Sequence, residues 1–312
     1  MFELTQSAYG KYRRYTLHQP DTGHGFSIVP ACGANVDEIC FGGFNVLDAY
    51  QSPEEMEAGK WGKSAFLFPF PNRLRDGRYE WLGKAYSFPI NNAPTGNAIH
   101  GFVRHESFDV TRIELCTEYA ELSCQLNYRG TLPYYPFPFV LEINFRITNR
   151  NEFNVSFFLK NRHHEAIPVA LGWHPYFRLC AKADEHQLQL PACSLVDIDE
   201  RMIPTGTRQA YSAFRQETLL GATSLDNCFV VEEGHPLYHL TLKGGGHSLA
   251  LVASSSLFPY FQVFTPPARE SIALEPMTGN VNVFQNGDGL VTVPAAGDWT
   301  ASFRLEYYHH PG

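Results

Sequence analysis

Residues 141–148 read Leu-Glu-Ile-Asn-Phe-Arg-Ile-Thr, an unbroken alternation of apolar and polar side chains. Successive side chains of a β-strand point to opposite faces, so this period of two indicates a strand with one buried face. The same alternation recurs at residues 122–128 and 303–308. Further candidate strands lie at residues 154–160, 238–242, 248–253 and 260–264. The pattern therefore predicts a chain dominated by antiparallel sheet.

Turn-forming residues separate these strands, and helices are scarce. Tight reversals are favoured at Asp76-Gly77, Gly244-Gly245-Gly246 and Asn286-Gly287-Asp288-Gly289. The clearest helix starts at Ser52-Pro53-Glu54-Glu55, which supplies an N-cap serine, a proline at the first helical position and a capping-box glutamate. This helix is predicted to end before Gly59.

The chain shows no linker between domains. Its 312 residues include 25 glycines and 21 prolines spread along the whole length, and 44% of the residues are hydrophobic, enough for a large core. We therefore predict an all-β fold, a single large antiparallel β-sandwich over residues 1–312 with a few short helices and with function carried by loops. Two stacked β domains are the alternative.

Composition excludes several classes of function. The net charge is −8 and no dense run of lysine or arginine occurs, which argues against nucleic acid or an anionic membrane as a partner. The seven cysteines include no C-x-x-C pair, so a zinc ribbon or a disulfide framework is not indicated. No apolar stretch approaches the ~20 residues that span a bilayer, and the first 16 residues lack a secretory pattern. We expect a cytoplasmic protein.

Two segments in the first third of the chain carry polar side chains suited to ligand binding. In residues 68–79, prolines and aromatic residues precede Asn72 and Arg73, and arginine presents planar donors that suit two neighbouring oxygens. In residues 97–102, His100 precedes a glycine that permits close backbone approach. Taken alone, the first segment can equally be a hairpin corner with solvated arginines, and the second a loop histidine.

Two later segments carry groups that can transfer protons. His174 lies in Gly-Trp-His-Pro-Tyr-Phe (residues 172–177), between aromatic residues that can wall a pocket. Histidine can give or take a proton near neutral pH. Glu275 lies in Ala-Leu-Glu-Pro-Met-Thr (residues 273–278), and a carboxylate that is partly desolvated becomes a better general base. An aromatic-packed structural histidine and an exposed strand-end glutamate are the alternative interpretations.

A metal site and several other catalytic motifs are not indicated. His163, His164 and Glu165 are adjacent, but neighbouring side chains of an extended segment point to opposite faces, so we predict no metal site there. The chain contains no G-x-S-x-G motif, no P-loop and no G-x-G-x-x-G after a strand. Nothing in the sequence therefore predicts a nucleotide-dependent enzyme or a serine hydrolase.

The order of these segments resembles that of the aldose 1-epimerase (galactose mutarotase-like) family over roughly residues 20–308. The matching elements are Asn72-Arg73, Asp76-Gly77-x-Tyr79, Gly83, Asn91, His100-Gly101, His174-Pro175-Tyr176-Phe177, Leu225-Asp226, Leu274-Glu275-Pro276-Met277-Thr278, Gly287-Asp288-Gly289-Leu290 and Phe303-x-Leu305. The chain departs from the well-studied members where Trp173 and Pro175 flank the histidine and where Phe102 follows His100-Gly101. It therefore resembles a divergent branch, with the substrate left open.

The resemblance implies a galactose mutarotase-like supersandwich with an open sugar cleft that needs neither a cofactor nor a metal ion. Glu275 would take the proton from the anomeric hydroxyl, and His174 would protonate the ring oxygen. The side chains implied to bind sugar hydroxyls are His100, Arg73, Asp226 and Asn72. The implied partner is a small-molecule sugar, and the oligomeric state is left open.

Three other functions remain as alternatives to an aldose 1-epimerase. A hexose-6-phosphate 1-epimerase needs extra positive charge, for which the candidates are Arg73, Arg75, Arg78 and Arg104, although alternation would face some of them outward. A non-catalytic carbohydrate-binding protein would use the same aromatic and acidic side chains. A glycoside hydrolase or lyase is disfavoured, because hydrolysis uses two carboxylates and only Glu275 has a distinctive setting.

Overall fold

The computed structural model describes residues 1–232, 234 and 236–310. Its helices are short, namely α1 (Pro53–Ala58) and α2 (Val283–Asn286), with single 3₁₀ turns at Lys60–Gly62, Val103–His105 and Ala183–Glu185. The first strands are β1 (Glu3–Tyr9), β2 (Tyr12–Gln19), β3 (His24–Val29), β4 (Asn35–Phe41), β5 (Phe44–Asn45), β6 (Ala65–Leu67), β7 (Arg73–Arg75), β8 (Arg78–Trp81), β9 (Lys84–Ser87), β10 (Asn97–Ile99), β11 (Asp109–Leu115), β12 (Tyr119–Tyr128), β13 (Phe139–Thr148) and β14 (Glu152–Asn161).

The second half of the chain is also built of strands. They are β15 (Ile167–Val169), β16 (Gly172–His174), β17 (Tyr176–Phe177), β18 (Gln187–Gln189), β19 (Cys193–Ile198), β20 (Pro204–Tyr211), β21 (Thr218–Leu219), β22 (Asp226–Val231), β23 (Leu237–Gly244), β24 (His247–Ser254), β25 (Tyr260–Phe264), β26 (Ile272–Met277), β27 (Val291–Val293) and β28 (Asp298–His309).

Three large antiparallel sheets form the framework. A nine-stranded sheet runs β11-β12-β13-β14-β28-β24-β23-β18-β21. An eight-stranded sheet runs β20-β19-β22-β25-β26-β16-β6, with β17 also paired to β26. A five-stranded sheet runs β1 to β5 in chain order, and three two-stranded sheets join β7 with β10, β8 with β9, and β15 with β27. The predicted all-β fold with few short helices is confirmed.

The core fills the space between the nine- and eight-stranded sheets, where aromatic rings from both meet, and extends to the inner face of the five-stranded sheet. Phe66 of β6 contacts Phe145 of β13 with ring centroids 5.7 Å apart, and Trp173 of β16 stacks on Phe303 of β28 at 5.3 Å. Both contacts are possible because β-strand alternation turns these side chains inward. The same alternation turns the neighbour of Trp173, His174, away from the core.

Local sequence signals agree with the structure in most places. Ser52 caps α1, accepting a hydrogen bond from the backbone N–H of Glu55, and Gly59 ends the helix with a φ of 59°. Residues 245–246 form the turn of the β23–β24 hairpin. Asp76-Gly77 is a turn between β7 and β8, but these strands pair with β10 and β9 respectively, so it closes no hairpin. No helix among the described residues is long and apolar enough to cross a membrane.

Candidate active site

Adjacent strands of the eight-stranded sheet bring polar side chains together at one place. Glu275 of β26 lies opposite Gln262 of β25, and Asp226 of β22 pairs with Phe264 of β25. His174 ends β16, which pairs with β26. Because Trp173 and Leu274 belong to the hydrophobic core, alternation directs His174 and Glu275 to the opposite face of the sheet.

The β7–β10 pair and the residues beside it complete the site. Arg73 pairs with Ile99 across these strands, and the next residue, His100, donates its backbone N–H to the Asn72 carbonyl at 2.9 Å. Asn72 and His100 both have left-handed backbones, with φ of 54° and 67°. This tight geometry turns the Asn72, Arg73 and His100 side chains toward the same space.

These side chains line one cavity of about 300 Å³. All six residues predicted from sequence to act on a sugar contribute to its wall, namely His174, Glu275, Arg73, His100, Asp226 and Asn72. Further lining residues are Trp61, Arg104, Tyr176, Gln262 and Phe264. The structure thus brings together residues that lie as far apart in sequence as 72 and 275.

His174 and Glu275 are neighbours in this cavity. The imidazole Nε2 lies 3.4 Å from Glu275 Oε1, and the ring stacks on Tyr176 with centroids 4.9 Å apart. Both side chains are buried. Within the described part of the chain, Glu275 Oε2 and His174 Nδ1 have no hydrogen-bond partner. The protein therefore leaves part of the hydrogen-bonding capacity of both groups unused.

Burial shifts both groups toward their uncharged forms. It lowers the pKa of His174 to about 3, and the nearby Arg104 charge acts in the same direction. Burial also raises the pKa of Glu275 well above its ordinary value; the Asp226 charge adds to this effect and the Arg73 charge opposes it. Both shifts therefore favour an uncharged pair, in which the carboxyl group carries the proton that the two side chains can exchange.

A closed ring of polar contacts fixes four other side chains. Arg73 Nη1 donates to Asn72 Oδ1 at 3.0 Å, and Asn72 Nδ2 donates to Gln262 Oε1 at 3.1 Å. Gln262 Nε2 donates to Asp226 Oδ1 at 2.7 Å, and Asp226 Oδ2 lies 3.8 Å from Arg73 Nη2. Each member orients the next, so the Arg73 donors and the Asp226 acceptors are held in place before any ligand binds.

His100 completes the polar wall beside His174. The two rings meet edge to face with centroids 5.3 Å apart. Burial lowers the pKa of His100 well below its ordinary value, and the neighbouring His174, Arg104 and Arg73 add to this shift. A neutral imidazole has one donor and one acceptor nitrogen, so His100 can either donate a hydrogen bond to a hydroxyl group or accept one from it.

The four arginines considered for a phosphate group do not all face the cavity, as alternation predicts. Arg73 and Arg104 line the cavity, whereas Arg75 is paired with Asp199 and Arg78 does not line it.

The extended backbone from which we predicted no metal site at His163, His164 and Glu165 is wrong. These residues lie in a bend, and each Nε2 is 3.8 Å from the same Glu165 oxygen, because the local backbone is not extended.

Gly101 sets the position of His100, and Gly101→Ala is predicted to destabilise the protein. At its φ of +59°, an added Cβ would lie 2.1 Å from the Phe68 carbonyl oxygen. Gly42→Ala is a matched control, since its φ is +60° and nothing lies within 4 Å of its added Cβ. Chemical denaturation should show a loss of about 1–2 kcal/mol for the control and a further ~1–3 kcal/mol for Gly101→Ala. Equal losses would show that the close approach has no effect.

Comparisons with known proteins agree on family and fold. A family model described as aldose 1-epimerase matches residues 14–306. The chain is 28% identical over 273 residues to the uncharacterised protein YihR of Escherichia coli (strain K12). The aligned region covers 85% of this chain and 84% of YihR. A galactose mutarotase-like protein from Clostridium acetobutylicum has a TM-score of 0.88 at 17% identity, over 99% of each chain. Galactose 1-epimerase from Lactobacillus acidophilus NCFM has a TM-score of 0.82 at 17% identity, over 100% of this chain and 99% of that one. The predicted galactose mutarotase-like sandwich is confirmed.

Proposed function

Because the chain belongs to the aldose 1-epimerase family, we propose that it interconverts the α and β anomers of a hexose by acid–base opening and reclosure of the ring. The observation that carries the proposal is the 3.4 Å separation of His174 Nε2 and Glu275 Oε1 within one cavity. In a hemiacetal the anomeric oxygen O1 and the ring oxygen O5 are bonded to the same carbon. One group that exchanges a proton with O1 and another that exchanges a proton with O5 must therefore be close neighbours.

In the proposed reaction Glu275 acts as base and His174 as acid. Glu275 takes the proton of the O1 hydroxyl while His174 gives a proton to O5, so the C1–O5 bond breaks and C1 becomes an aldehyde. After rotation about C1–C2, the O5 hydroxyl attacks the other face of the aldehyde. Glu275 then returns its proton to O1 and His174 recovers its proton from O5, so both groups end as they began.

The uncharged pair and the reactive pair contain the same number of protons. Moving the single proton from the Glu275 carboxyl group to the His174 imidazole creates the base and the acid without changing the net charge. The Arg73 charge favours the ionised form of Glu275. The rate should therefore depend on the number of protons that Glu275 and His174 hold together, and not on the ordinary pKa of histidine.

The pH dependence of kcat/KM is predicted to show no acid limb in the ordinary range of histidine titration. The pair binds a second proton only near the depressed His174 pKa of about 3, and loses its proton only near the raised Glu275 pKa. We expect a plateau that begins by about pH 5 and ends where Glu275 loses its proton, measured by initial rates corrected for buffer-catalysed mutarotation. An acid limb with an apparent pKa near 6.5 would contradict the burial-controlled pair.

Polarimetry tests the proposed function directly. The optical rotation of freshly dissolved α-D-glucose and α-D-galactose should decay faster with the protein than in buffer, in proportion to the protein concentration. Folded protein that accelerates neither sugar, nor any other aldose, would refute the proposal. Calorimetric binding of sugar without mutarotation would instead support the alternative of a non-catalytic carbohydrate-binding protein.

A hexose 6-phosphate is the second candidate substrate, and Arg104 favours it. Arg104 lines the cavity, and within the described residues its guanidinium has no ion-pair partner and its Nε no hydrogen-bond partner. A cationic group left uncompensated in a cleft attracts an anionic ligand. Glucose 6-phosphate should then outperform glucose in kcat/KM, and inorganic phosphate should inhibit competitively. Equal values for the two sugars would favour the neutral hexose.

A further inference from the structure

Residues 59–64, here called the 59–64 strap, form one side of the cavity in an unusual backbone conformation. Four of the six residues have left-handed φ values, namely Gly59 (59°), Trp61 (66°), Gly62 (62°) and Ser64 (55°). Tryptophan rarely adopts this conformation, because its Cβ crowds the backbone. A strained non-glycine residue persists only where surrounding contacts hold it, and such residues concentrate at functional sites.

Hydrogen bonds fix the strap to β16 and β17 and to the segment before α1. The Tyr176 hydroxyl donates to the Trp61 carbonyl at 2.9 Å, and the Tyr50 hydroxyl donates to the Lys60 carbonyl at 3.0 Å. The backbone N–H of Ser64 donates to the His174 carbonyl at 2.9 Å. The strap is therefore anchored directly to His174 and its stacking partner, which sets the place of the Trp61 ring relative to the reacting groups.

The Trp61 ring is exposed at the cavity and continues an aromatic wall. The residue is 44% exposed, and its ring stacks on Phe264 with centroids 6.0 Å apart. The Lys60 Nζ lies 5.5 Å from the centroid of the indole. Phe264 meets Tyr176 edge to face at 6.2 Å, and Tyr176 stacks on His174. Among the large hydrophobic side chains that are exposed in the described chain, Trp61 alone lines this cavity.

We propose that the indole of Trp61 is a stacking surface for the carbon–hydrogen face of a hexopyranose ring, and so contributes to the affinity of the site for sugars. A pyranose ring is polar at its edge and presents apolar C–H groups on its faces. The polar ring of Arg73, Asn72, Gln262 and Asp226 suits the edge, and the exposed indole suits a face. The inference rests on the proposed function only in taking a sugar as the ligand.

The test combines fluorescence with kinetics in variants that preserve the backbone. Trp61→Asn removes the ring, and asparagine tolerates the left-handed conformation. Trp61→Phe retains a ring. Trp299→Phe is the control, because Trp299 lies on β28 and does not line the cavity. Thermal unfolding of each variant shows that it is folded, and each is titrated with D-glucose and D-galactose while intrinsic fluorescence is recorded.

Sugar should change the fluorescence of the natural protein and of Trp299→Phe, but not that of Trp61→Asn. The dissociation constant and KM should rise about 3- to 10-fold in Trp61→Asn, with kcat within about twofold because the acid–base pair is untouched. Trp61→Phe should recover most of the affinity. Unchanged affinity and an unchanged fluorescence response in folded Trp61→Asn would overturn the inference, as would the absence of any sugar response in the natural protein.

The outcomes separate this inference from the proposed function. A fluorescence response that depends on Trp61, without any mutarotation, would support the stacking surface and refute the proposed epimerase activity. Mutarotation that continues with unchanged KM in Trp61→Asn would leave the epimerase standing and remove the stacking surface.

Discussion

Glu275→Gln lowers kcat/KM for mutarotation at least about 10²-fold if Glu275 is the general base. The amide has the shape of the carboxyl group but cannot accept the anomeric proton. Burial already favours the uncharged form of this side chain, as the raised pKa of Glu275 shows, so the neutral amide should be tolerated in the fold. Initial rates from polarimetry, together with the unfolding temperature, measure both effects.

The control for this substitution is Glu118→Gln. Glu118 is exposed in the turn between β11 and β12, so the same chemical change there should leave the rate unaltered. A Glu275→Gln protein that is folded and within about tenfold of the natural rate would remove the carboxylate from the reaction.

His174→Asn is expected to lower the rate by a similar factor, at least about 10²-fold. Asparagine can still hydrogen-bond to the ring oxygen but cannot deliver a proton to it. Because the imidazole stacks on Tyr176 and is buried, some loss of stability should accompany the substitution. The same polarimetric assay, run well below the unfolding temperature, separates the loss of rate from the loss of stability.

His164→Asn provides the matched control, since His164 is exposed and lies outside the cavity. The double variant Glu275→Gln, His174→Asn should be about as slow as the slower single variant, because groups that act as one unit are not additive. Rates that multiply would indicate that the two side chains act in separate steps.

The sequence predicted the fold and the main side chains of the cavity for physical reasons. Alternation reports burial on one face of a strand, and this pattern is strong along β12, β13 and β28. His174 was identified because it lies between aromatic residues that can wall a pocket, and Glu275 because a carboxylate there follows apolar residues and precedes a proline. Their mutual distance was not predictable, since it depends on how β16 and β26 pair. Asp226 was identified only through the resemblance to the family.

Gln262 was missed because its place in the cavity wall depends on strand register. Within residues 260–264 it is an ordinary polar residue, and only the pairing of β25 with β26 places it opposite Glu275. A shift of one residue in the pairing would have turned the Gln262 side chain to the other face of the sheet. The register of a pair cannot be determined from the sequence of one strand alone. Trp61 was missed for a related reason, since its exposure at the cavity depends on the left-handed turns at Gly59 and Gly62.

The bend at His163, His164 and Glu165 shows the limit of alternation as a rule. The rule holds within a strand, but β14 ends at Asn161 and these residues follow it. Beyond the strand, adjacent side chains can converge, and the two rings here lie 4.1 Å apart.

The single-domain division over residues 1–312 and the cytoplasmic location stay predictions.

A crystal structure with a bound aldose tests the central claim most directly, because the claim is geometric. We predict that O1 of the sugar lies about 2.6–3.2 Å from a Glu275 carboxylate oxygen and that O5 lies within the same range of a His174 ring nitrogen. A sugar held in this cavity with its anomeric carbon turned away from both side chains would contradict the account.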